Sequence, residues 1–404
     1  MMSLSNTQEA ILSIVRQSLW GRVETVPNAD WEQVDAFSYD QGVRALLYSG
    51  VSHKKSSVPL SLLRDWRAAM IASVLRNDEI NAEQTEILKA LDAQRIETVV
   101  LKGTSISRLY PHPDSRALGD IDLLVDPQQQ DTVNTILLSL GYECHDHDHA
   151  FHINYRKGNV EVEVHHAVSD VPDLAGGKRA KTEMTSFLQK RKMVACNGMT
   201  FPILSDSHQA LMLLLHMERH MLEGGIGLRQ MCDWAVFVAK SAPQHWGEYT
   251  LSLLQQCGLL VYAKVVTKAC VQYLGLSGEL ASWCMDASDA LSGDMMQDVF
   301  RGGSLGVADT GNSSDLFTDR SALGDDKHNV VKGLITTLNK RAYIHFPFTQ
   351  KYKFLLPVFW VFLPVRYIIR SWLGLRPTKN VLNAFDLSNR RHLLYKRLHL
   401  YEVK

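Results

Sequence analysis

Residues 101–125 read LKGTSISRLYPHPDSRALGDIDLLV, and the fold follows from this stretch. The residues that lead into it, IETVVL at 96–101, are rich in β-branched side chains and predict a buried strand. The tetrapeptide Lys-Gly-Thr-Ser at 102–105 predicts a tight turn that opens a helix, because Gly supplies backbone freedom and Thr or Ser caps helices. A second strand is predicted over 120–125, where acidic and apolar residues alternate at the start.

Strands and helices alternate after this stretch. A helix is predicted over 127–140, and VEVEVH at 160–165 predicts a third strand. Strand, helix, strand, helix and strand within about 70 residues form an α/β unit. Apolar residues at helical spacing predict helices over 60–94 before this unit and over 207–295 after it. The predicted fold class is therefore α+β, a core sheet with helical segments before and after it.

An acid pair begins the second predicted strand. Asp120 and Asp122 are separated by one residue, and alternate residues of a strand point to the same face. Both carboxylates should project together, with Ile121 and Leu123 buried behind them. Two carboxylates repel each other, and a divalent cation relieves this repulsion; Mg²⁺ takes one or two carboxylates together with substrate phosphates. The plainer interpretation is a strand that simply starts near the surface.

The stretch resembles the signature of an uncharacterised bacterial nucleotidyltransferase family within the polymerase-β-like superfamily. That superfamily has a Gly-Gly or Gly-Ser turn, then an acid-x-acid strand, then a third acid on a later strand. Here Gly103-Thr104 matches the turn, although a Lys-Gly-Thr sequence stands where the wider superfamily has Gly-Ser. Asp120 and Asp122 match the acid pair, and Glu163 matches the third acid.

The resemblance covers roughly residues 60–240 and implies a nucleotidyltransferase-type core sheet. It implies that a nucleoside monophosphate moves from an NTP to an acceptor, with Mg²⁺ or Mn²⁺ as the cofactor. The catalytic and metal-binding residues that it implies are Asp120, Asp122 and Glu163. The nucleotide-binding residues that it implies are Lys102, Gly103, Thr104, Arg116 and Gly119.

Several polar residues near the acid pair have two interpretations each. Lys102 and Arg116 could neutralise phosphate charge, or they could form surface ion pairs. Glu161 lies on the same strand face as Glu163 and competes with it as the third acid; the acid-x-His match favours Glu163. His165 is either a general base or phosphate contact, or a buried, hydrogen-bonded side chain, and the second interpretation is preferred.

A histidine-rich segment follows the predicted helix. Residues 144–152, CHDHDHAFH, contain four His and two Asp, which suit zinc or nickel. An alternating His-Asp run is also typical of an exposed edge or loop, and that interpretation is preferred. Within the segment, His149 or His152 is a candidate for the acceptor pocket.

The helices predicted after residue 207 resemble the part of such proteins that closes over nucleotide or acceptor. His216 and His220 lie four residues apart, on one face of the first helix. Arg229 and Asp233 are also four apart, on the next helix, and they are expected to pair with each other.

Charge and cysteine content limit the class of protein. The 404 residues include 43 basic and 43 acidic side chains, and this zero balance argues against nucleic acid as a partner. The six cysteines are scattered without a Cys-x-x-Cys pair, so a reduced, cytoplasmic compartment is expected. The first residues lack the basic, apolar pattern of a signal peptide.

The tail over 351–404 is basic, with eleven Lys or Arg residues and two acids, which suggests an anionic surface as partner. It contains FLLPVFWVFLPV at 354–365, only 12 residues long, whereas a membrane-spanning helix needs about 20. A spanning helix is therefore excluded. Two interpretations remain: a peripheral membrane contact through 351–404, or a buried helical hairpin.

The predicted organisation has five parts. They are an N-terminal helical region (1–94), the nucleotidyltransferase core (95–205), a helical domain (206–300), a flexible linker rich in Gly, Ser and Asp (301–327), and a basic, aromatic-rich helical segment (328–404).

The acceptor is not identified by the sequence. Related family members resemble parts of bacterial surface-polysaccharide systems, which suggests a sugar or lipid-linked acceptor. Two alternatives stay open: modification of a protein or a tRNA, and a non-catalytic nucleotide-binding scaffold at a membrane.

Overall fold

The computed structural model describes residues 4–51, 58–146, 151–169, 171–196, 198–223, 225–241 and 246–301, together with 335, 338–339, 342–343, 346, 348–372, 393–394 and 396–403. The predicted linker at 301–327 lies outside these residues except for Arg301, as do His147 and His149 of the histidine-rich segment.

Seven strands in the described residues form one mixed sheet. They are β1 (Thr98–Val100), β2 (Ile121–Val125), β3 (Glu143–Asp146), β4 (His152–Lys157), β5 (Val160–His165), β6 (Arg191–Cys196) and β7 (Met199–Leu204). Their order across the sheet is β3-β4-β5-β2-β1-β7-β6. β2 is parallel to β5 and β1 is parallel to β7, while the other neighbouring pairs are antiparallel. The predicted α+β class is confirmed.

The three strands predicted from the sequence, β1, β2 and β5, are the three central strands of this sheet. The four outer strands were not predicted. The sequences of β3, β4 and β6 mix polar and apolar residues, as in HINYRK of β4 and RKMVAC of β6, and several of their side chains are exposed. β3 and β6 are the edges of the sheet and β4 lies next to one, so solvent reaches these strands and their composition does not separate them from loops.

Helices surround the sheet. They are α1 (Asn6–Trp20), α2 (Trp31–Asp40), α3 (Arg44–Val51), α4 (Leu60–Ala93), α5 (Thr104–Ser107), α6 (Gln130–Ser139), α7 (Ala175–Met184), α8 (Asp206–Glu223), α9 (Leu228–Lys240), α10 (Glu248–Gln256), α11 (Leu260–Leu274), α12 (Asp289–Arg301), α13 (Phe348–Lys351) and α14 (Leu356–Trp372). The long helix expected at 60–94 is α4, which contains neither Pro nor Gly to interrupt it.

One face of the sheet packs on α4 and α6. Ile121 and Leu123 of β2 lie in an apolar cluster with Val162 of β5, Ile87 of α4 and Leu137 of α6. These side chains exclude water behind β2, as the sequence pattern predicted for Ile121 and Leu123.

The opposite face of the sheet joins the larger apolar core. Val99 of β1, Leu124 of β2 and Leu204 of β7 are buried there together with residues of α1, α8, α9 and α11. Because side chains alternate along a strand, Asp122 shares this face with Leu124. The helical layer is therefore placed next to the acid pair.

The end of the described chain returns to the helical layer. Leu398, Leu400 and Tyr401 are buried. The N–H of Tyr401 donates to the carbonyl of Gly258, and the carbonyl of Tyr401 accepts from the N–H of Gly176. The basic tail is therefore not one continuous surface segment. Within the described ranges, every helix is too short or too polar to cross a membrane.

Gly50→Ala tests the close approach of α3 and α1. A Cβ at position 50 would lie 2.6 Å from the backbone oxygen of Ile14 and 3.2 Å from the backbone nitrogen of Ser18, so the helices would have to separate. We expect the free energy of unfolding, measured by urea titration, to fall by about 1–3 kcal/mol. Gly278→Ala is the matched control, because a Cβ there meets no atom closer than 3.8 Å. Equal losses in the two variants would contradict this packing.

Candidate active site

Three acids meet because β2 and β5 are parallel neighbours. Asp122 of β2 lies opposite Glu163 of β5, so the two side chains leave the same face of the sheet side by side. Asp120 immediately precedes β2. Oxygen atoms of Asp120, Asp122 and Glu163 lie within 4.8 Å of one another. The structure thus brings together the three acids that the sequence pattern singled out.

Asp122 is buried and is held by two nitrogen groups. Lys102 Nζ lies 2.8 Å from Asp122 Oδ1, and His165 Nε2 lies 2.9 Å from the same oxygen. Burial alone would raise the pKa of Asp122, but Lys102 and His165 hold it well below its usual range. Burial would likewise lower the pKa of Lys102, and the charge of Asp122 instead raises it. This ion pair is internal, not on the surface.

His165 connects two of the acids. Its Nε2 also lies 3.2 Å from Glu163 Oε2. Burial works against a charged imidazole, but the hydrogen bonds to Asp122 and Glu163 raise the pKa of His165 above its ordinary value. Burial would raise the pKa of Glu163, which the hydrogen bond from His165 lowers instead. His165 is therefore the buried, hydrogen-bonded side chain that was expected, and it lies within the acid cluster.

Asp120 carries most of the repulsion within the cluster. The charge of Asp122, followed by burial, raises the pKa of Asp120 from 3.8 to about 6. Lys102 and Arg229 are close enough to lower this pKa, but they offset the increase only in part. The cluster is therefore short of positive charge on its Asp120 side.

A buried ion pair connects the loop before β2 to α9. Arg116 donates from Nε and Nη2 to the two carboxylate oxygens of Asp233, at 2.7 and 2.8 Å. Tyr110 Oη donates to Asp233 Oδ1 at 2.7 Å. The Arg116 and Asp233 side chains are each only 9% exposed. The expected pairing of Arg229 with Asp233 is therefore replaced by pairing with Arg116, 117 residues earlier in the chain.

Asn77 of α4 also shapes this loop, and the sequence reasoning missed it. Its Oδ1 accepts from the N–H of Leu118 at 2.9 Å, and its Nδ2 donates to the carbonyl of Arg116 at 3.2 Å. A buried Asn that satisfies two backbone groups fixes the path of the chain into β2.

The residues expected to bind nucleotide do not all face the acids. Four of them line the cavity above the cluster, namely Lys102, Gly103, Arg116 and Gly119. Gly103 has φ of 60°, a left-handed value that favours Gly, and it precedes the single turn of α5. The Thr104 side chain is directed elsewhere, since its hydroxyl donates to Gln84 Oε1 of α4 at 3.1 Å.

Helices α8 and α9 form the wall opposite the sheet. The cavity between them and the acids measures about 270 Å³. Its helical wall includes His216, Arg219 and His220 from α8, and Arg229 and Gln230 from α9. Burial, followed by the charge of Lys102, lowers the pKa of His216 well below its ordinary value, so this imidazole is neutral. Helices α8 and α9 therefore lie over the acids, and that they close over nucleotide or acceptor stays a prediction.

The structure places Glu163 and Glu161, the two candidates for the third acid, in different surroundings. Glu163 lines the cavity, whereas Glu161 pairs with Arg156 of β4 where both side chains are about half exposed. His152 is buried at the start of β4, and its Nε2 lies 3.7 Å from Glu163 Oε1. His152, Glu163 and His165 form a second group of side chains with metal-ligand atoms within 4.8 Å of one another.

Comparison with known proteins gives one family. The sequence matches the family described as "Uncharacterised nucleotidyltransferase" over residues 27–275, more than half of the chain and a range that contains every residue of the cavity. No curated protein matches it. A solved structure with some likeness is an antigenic nucleotidyltransferase-like protein from Paracoccidioides brasiliensis, with 17% sequence identity and a TM-score of 0.33, covering 50% of this chain and 96% of that chain.

Asp120→Asn and Asp122→Asn should change the free energy of unfolding in opposite directions. Repulsion between the two acids alone would instead predict that both substitutions stabilise the fold. Asn at 120 removes a repelled charge, so the free energy of unfolding at pH 7.5 in EDTA should rise by about 1–3 kcal/mol. Asn at 122 leaves buried Lys102 without its partner and should cost about 3–5 kcal/mol.

The pH dependence of urea unfolding checks the cause. The pKa of Asp120 is raised from 3.8 to about 6, so its ionisation destabilises the fold fully above pH 6 and not at all well below pH 4. The gain in Asp120→Asn should therefore shrink as the pH falls through this window. A gain independent of pH would rule out relief of repulsion as its cause.

Proposed function

The chain belongs to the uncharacterised nucleotidyltransferase family, and on this premise we propose that it transfers a nucleoside monophosphate from an NTP to an acceptor hydroxyl with Mg²⁺ or Mn²⁺. The proposal rests on one observation: the carboxylates of Asp120, Asp122 and Glu163 lie close together in a cavity. The charge of Asp122 raises the pKa of Asp120, so an ionised Asp120 weakens the fold and needs a reason other than stability.

The donor set fits a divalent metal that prefers oxygen. All three acids offer carboxylate oxygens, and the raised pKa of Asp120 marks the side where negative charge is least compensated. We propose that Asp120, Asp122 and Glu163 would hold the metal, which would neutralise the negative charge that develops on the phosphates. Mn²⁺ is accepted by the same oxygen ligands.

The proposed reaction is an in-line displacement at the α-phosphorus. The acceptor oxygen forms a bond to the α-phosphorus, the bond from that phosphorus to the pyrophosphate oxygen breaks, and pyrophosphate leaves. Glu163 either completes the metal site or takes the acceptor proton as a general base. His165 orients Glu163 and Asp122 through its contacts of 3.2 and 2.9 Å.

The proposed nucleotide contacts differ in kind. Lys102 supplies a buried positive charge beside Asp122. Gly103 and Thr104 offer backbone N–H groups, since the Thr104 hydroxyl is bonded to α4. Arg116 commits two of its five N–H groups to Asp233, so fewer donors are left for a phosphate. Gly119 leaves open space where a Cβ would stand, which lets substrate approach the backbone.

For the acceptor we propose a sugar or a lipid-linked sugar of bacterial surface-polysaccharide metabolism, following the resemblance of the 101–125 stretch. Protein or tRNA modification is the alternative activity. A non-catalytic scaffold is less favoured, because a degenerate core has no need for the repulsion between Asp120 and Asp122. We also propose that the five-part domain division applies, with 206–300 forming the wall over the core.

For the C-terminal segment we propose peripheral contact with an anionic membrane, on the cytoplasmic side, where the six free cysteines stay reduced. Large apolar side chains at helical spacing are exposed around α14, by 76%, 62% and 67% at Phe354, Val358 and Val361. Basic residues flank this stripe: Lys351, Lys353 and Arg366. An apolar stripe with basic flanks is typical of an interfacial helix. The buried chain end near Leu398 takes no part.

Asp120→Asn and Glu163→Gln should lower the rate of nucleotide transfer by about 100-fold or more, because each removes a charge that holds the metal. The assay uses α-labelled ATP, GTP, CTP and UTP with Mg²⁺ or Mn²⁺ and a cell extract as the source of acceptor. The labelled product is then identified as protein, RNA, lipid or small molecule.

Glu161→Gln is the matched control for the acid variants, because this neighbouring acid pairs with Arg156 outside the cavity. Its transfer rate should stay within about twofold of wild type. Wild-type rates in both Asp120→Asn and Glu163→Gln would show that the cluster does not carry the activity.

The membrane contact has its own test. The protein should co-sediment with vesicles of phosphatidylserine and phosphatidylcholine, and this binding should weaken as added salt screens the charges. Val358→Asp with Val361→Asp should reduce binding about tenfold or more, since charges on the apolar stripe oppose insertion. Leu75→Asp is the control, because Leu75 is 67% exposed on α4. Binding that survives the double substitution would show that α14 is not the contact.

A further inference from the structure

Arg116 and Arg229 both line the α9 side of the cavity, and of these two only Arg116 forms an ion pair with Asp233. Asp233 accepts two hydrogen bonds from Arg116 and one from Tyr110. Arg229 lies one turn before Asp233 on α9, yet the carboxylate is engaged by the other two residues. Among residues that the structure describes, Arg229 has neither a hydrogen bond nor an ion pair.

The surroundings of Arg229 are not those of an ordinary surface arginine. Its side chain lines the cavity together with Asp120 and Gly119. It is largely withdrawn from water, and burial, followed by the charge of Arg116, lowers the pKa of Arg229 below its ordinary value. Its Nη1 lies 3.7 Å from the position that a Cβ at Gly42 would occupy, so the guanidinium packs against the backbone there.

A guanidinium that is largely withdrawn from water and lacks a hydrogen-bonded partner costs free energy, and that cost falls when an anion binds to it. The cavity already holds three carboxylates suited to a metal, so the missing anion is one that would come with the metal. A polyphosphate meets both needs, since its oxygens bind the metal and also match the planar fork of an arginine.

We propose that Arg229 binds the β- and γ-phosphates of the NTP, an inference that rests on the function proposed above. Arg116 then acts mainly as the support of α9, through Asp233, and Arg229 is the cation that meets the substrate. When the bond to the α-phosphorus breaks, the guanidinium lies beside the pyrophosphate that carries away the negative charge.

This assignment gives the substrate a direction in the cavity. Arg229 and Asp120 influence each other electrostatically, whereas His152 lies at the Glu163 end of the cluster. The triphosphate therefore lies toward Asp120 and α9, and the acceptor approaches from the side of Glu163 and His152.

Binding measurements on Arg229→Gln and Arg229→Lys test the proposal. In the presence of Mg²⁺, Arg229→Gln should weaken binding of the preferred NTP, and of inorganic tripolyphosphate, by about tenfold or more. Binding of the matching NMP should stay unchanged, because the NMP lacks the β- and γ-phosphates. Arg229→Lys should recover part of the loss, since it restores the charge but not the fork.

Two further measurements separate this role from a structural one. Melting of the ligand-free protein should show Arg229→Gln at least as stable as wild type, because the lowered pKa of Arg229 means that its desolvation outweighs its charge interactions in the fold. Arg191→Gln is the control variant, as Arg191 pairs with Glu97 away from the cavity and its loss should not change NTP binding.

Each outcome decides between the two proposals. Wild-type NTP and tripolyphosphate affinity in Arg229→Gln, or equal losses for NTP and NMP, would overturn the assignment of Arg229. Arg229-dependent tripolyphosphate binding without any nucleotide transfer by wild type would leave the phosphate subsite standing and remove the proposed function. A wild-type protein that binds neither NTP nor tripolyphosphate would overturn both.

Discussion

The parallel pairing of β2 with β5 places Asp122 directly beside Glu163, and this contact between like charges governs the rest of the structure. A buried carboxylate pair is unfavourable unless positive groups compensate it. Lys102 from the end of β1 and His165 from β5 do so, both at the Oδ1 atom of Asp122. Asp120 receives less compensation and keeps a raised pKa, so the cluster is set up to accept a cation.

The second requirement is a wall that faces the acids. The sheet packs on α4 and α6 with one face, which leaves the other face for α8 and α9. The ion pair of Arg116 with Asp233 connects the loop that leads into β2 to α9. The cavity thus depends on contacts between parts of the chain that are more than 100 residues apart, and a displaced α9 would open it.

Whether the sequence predicted a strand or helix correctly depends on how strongly burial restricts the residues of that element. Central strands were recognised because burial on both faces demands β-branched and apolar residues, and α4 because helical spacing runs through 34 residues without a break. Outer strands such as β4 and β6 were missed, since strands at or next to the edge of a sheet tolerate the polar residues that are also typical of loops. Glu163 was preferred to Glu161 by its resemblance to a motif, and the structure separates them by placing Arg156 beside Glu161.

Spacing along the chain was enough to predict that Asp120 and Asp122 project together and that three strands surround them, because strand alternation is a property of the local backbone. It was not enough to assign partners to charged side chains. Arg229 and Asp233, four residues apart on one helix, were expected to pair, yet Asp233 binds Arg116 from 117 residues away. An exposed pair at helical spacing contributes only a few tenths of a kcal/mol, whereas a bidentate contact in a buried setting is much stronger. Long-range packing therefore determines that Asp233 pairs with Arg116, and it leaves Arg229 in the cavity without an ion-pair partner among the described residues.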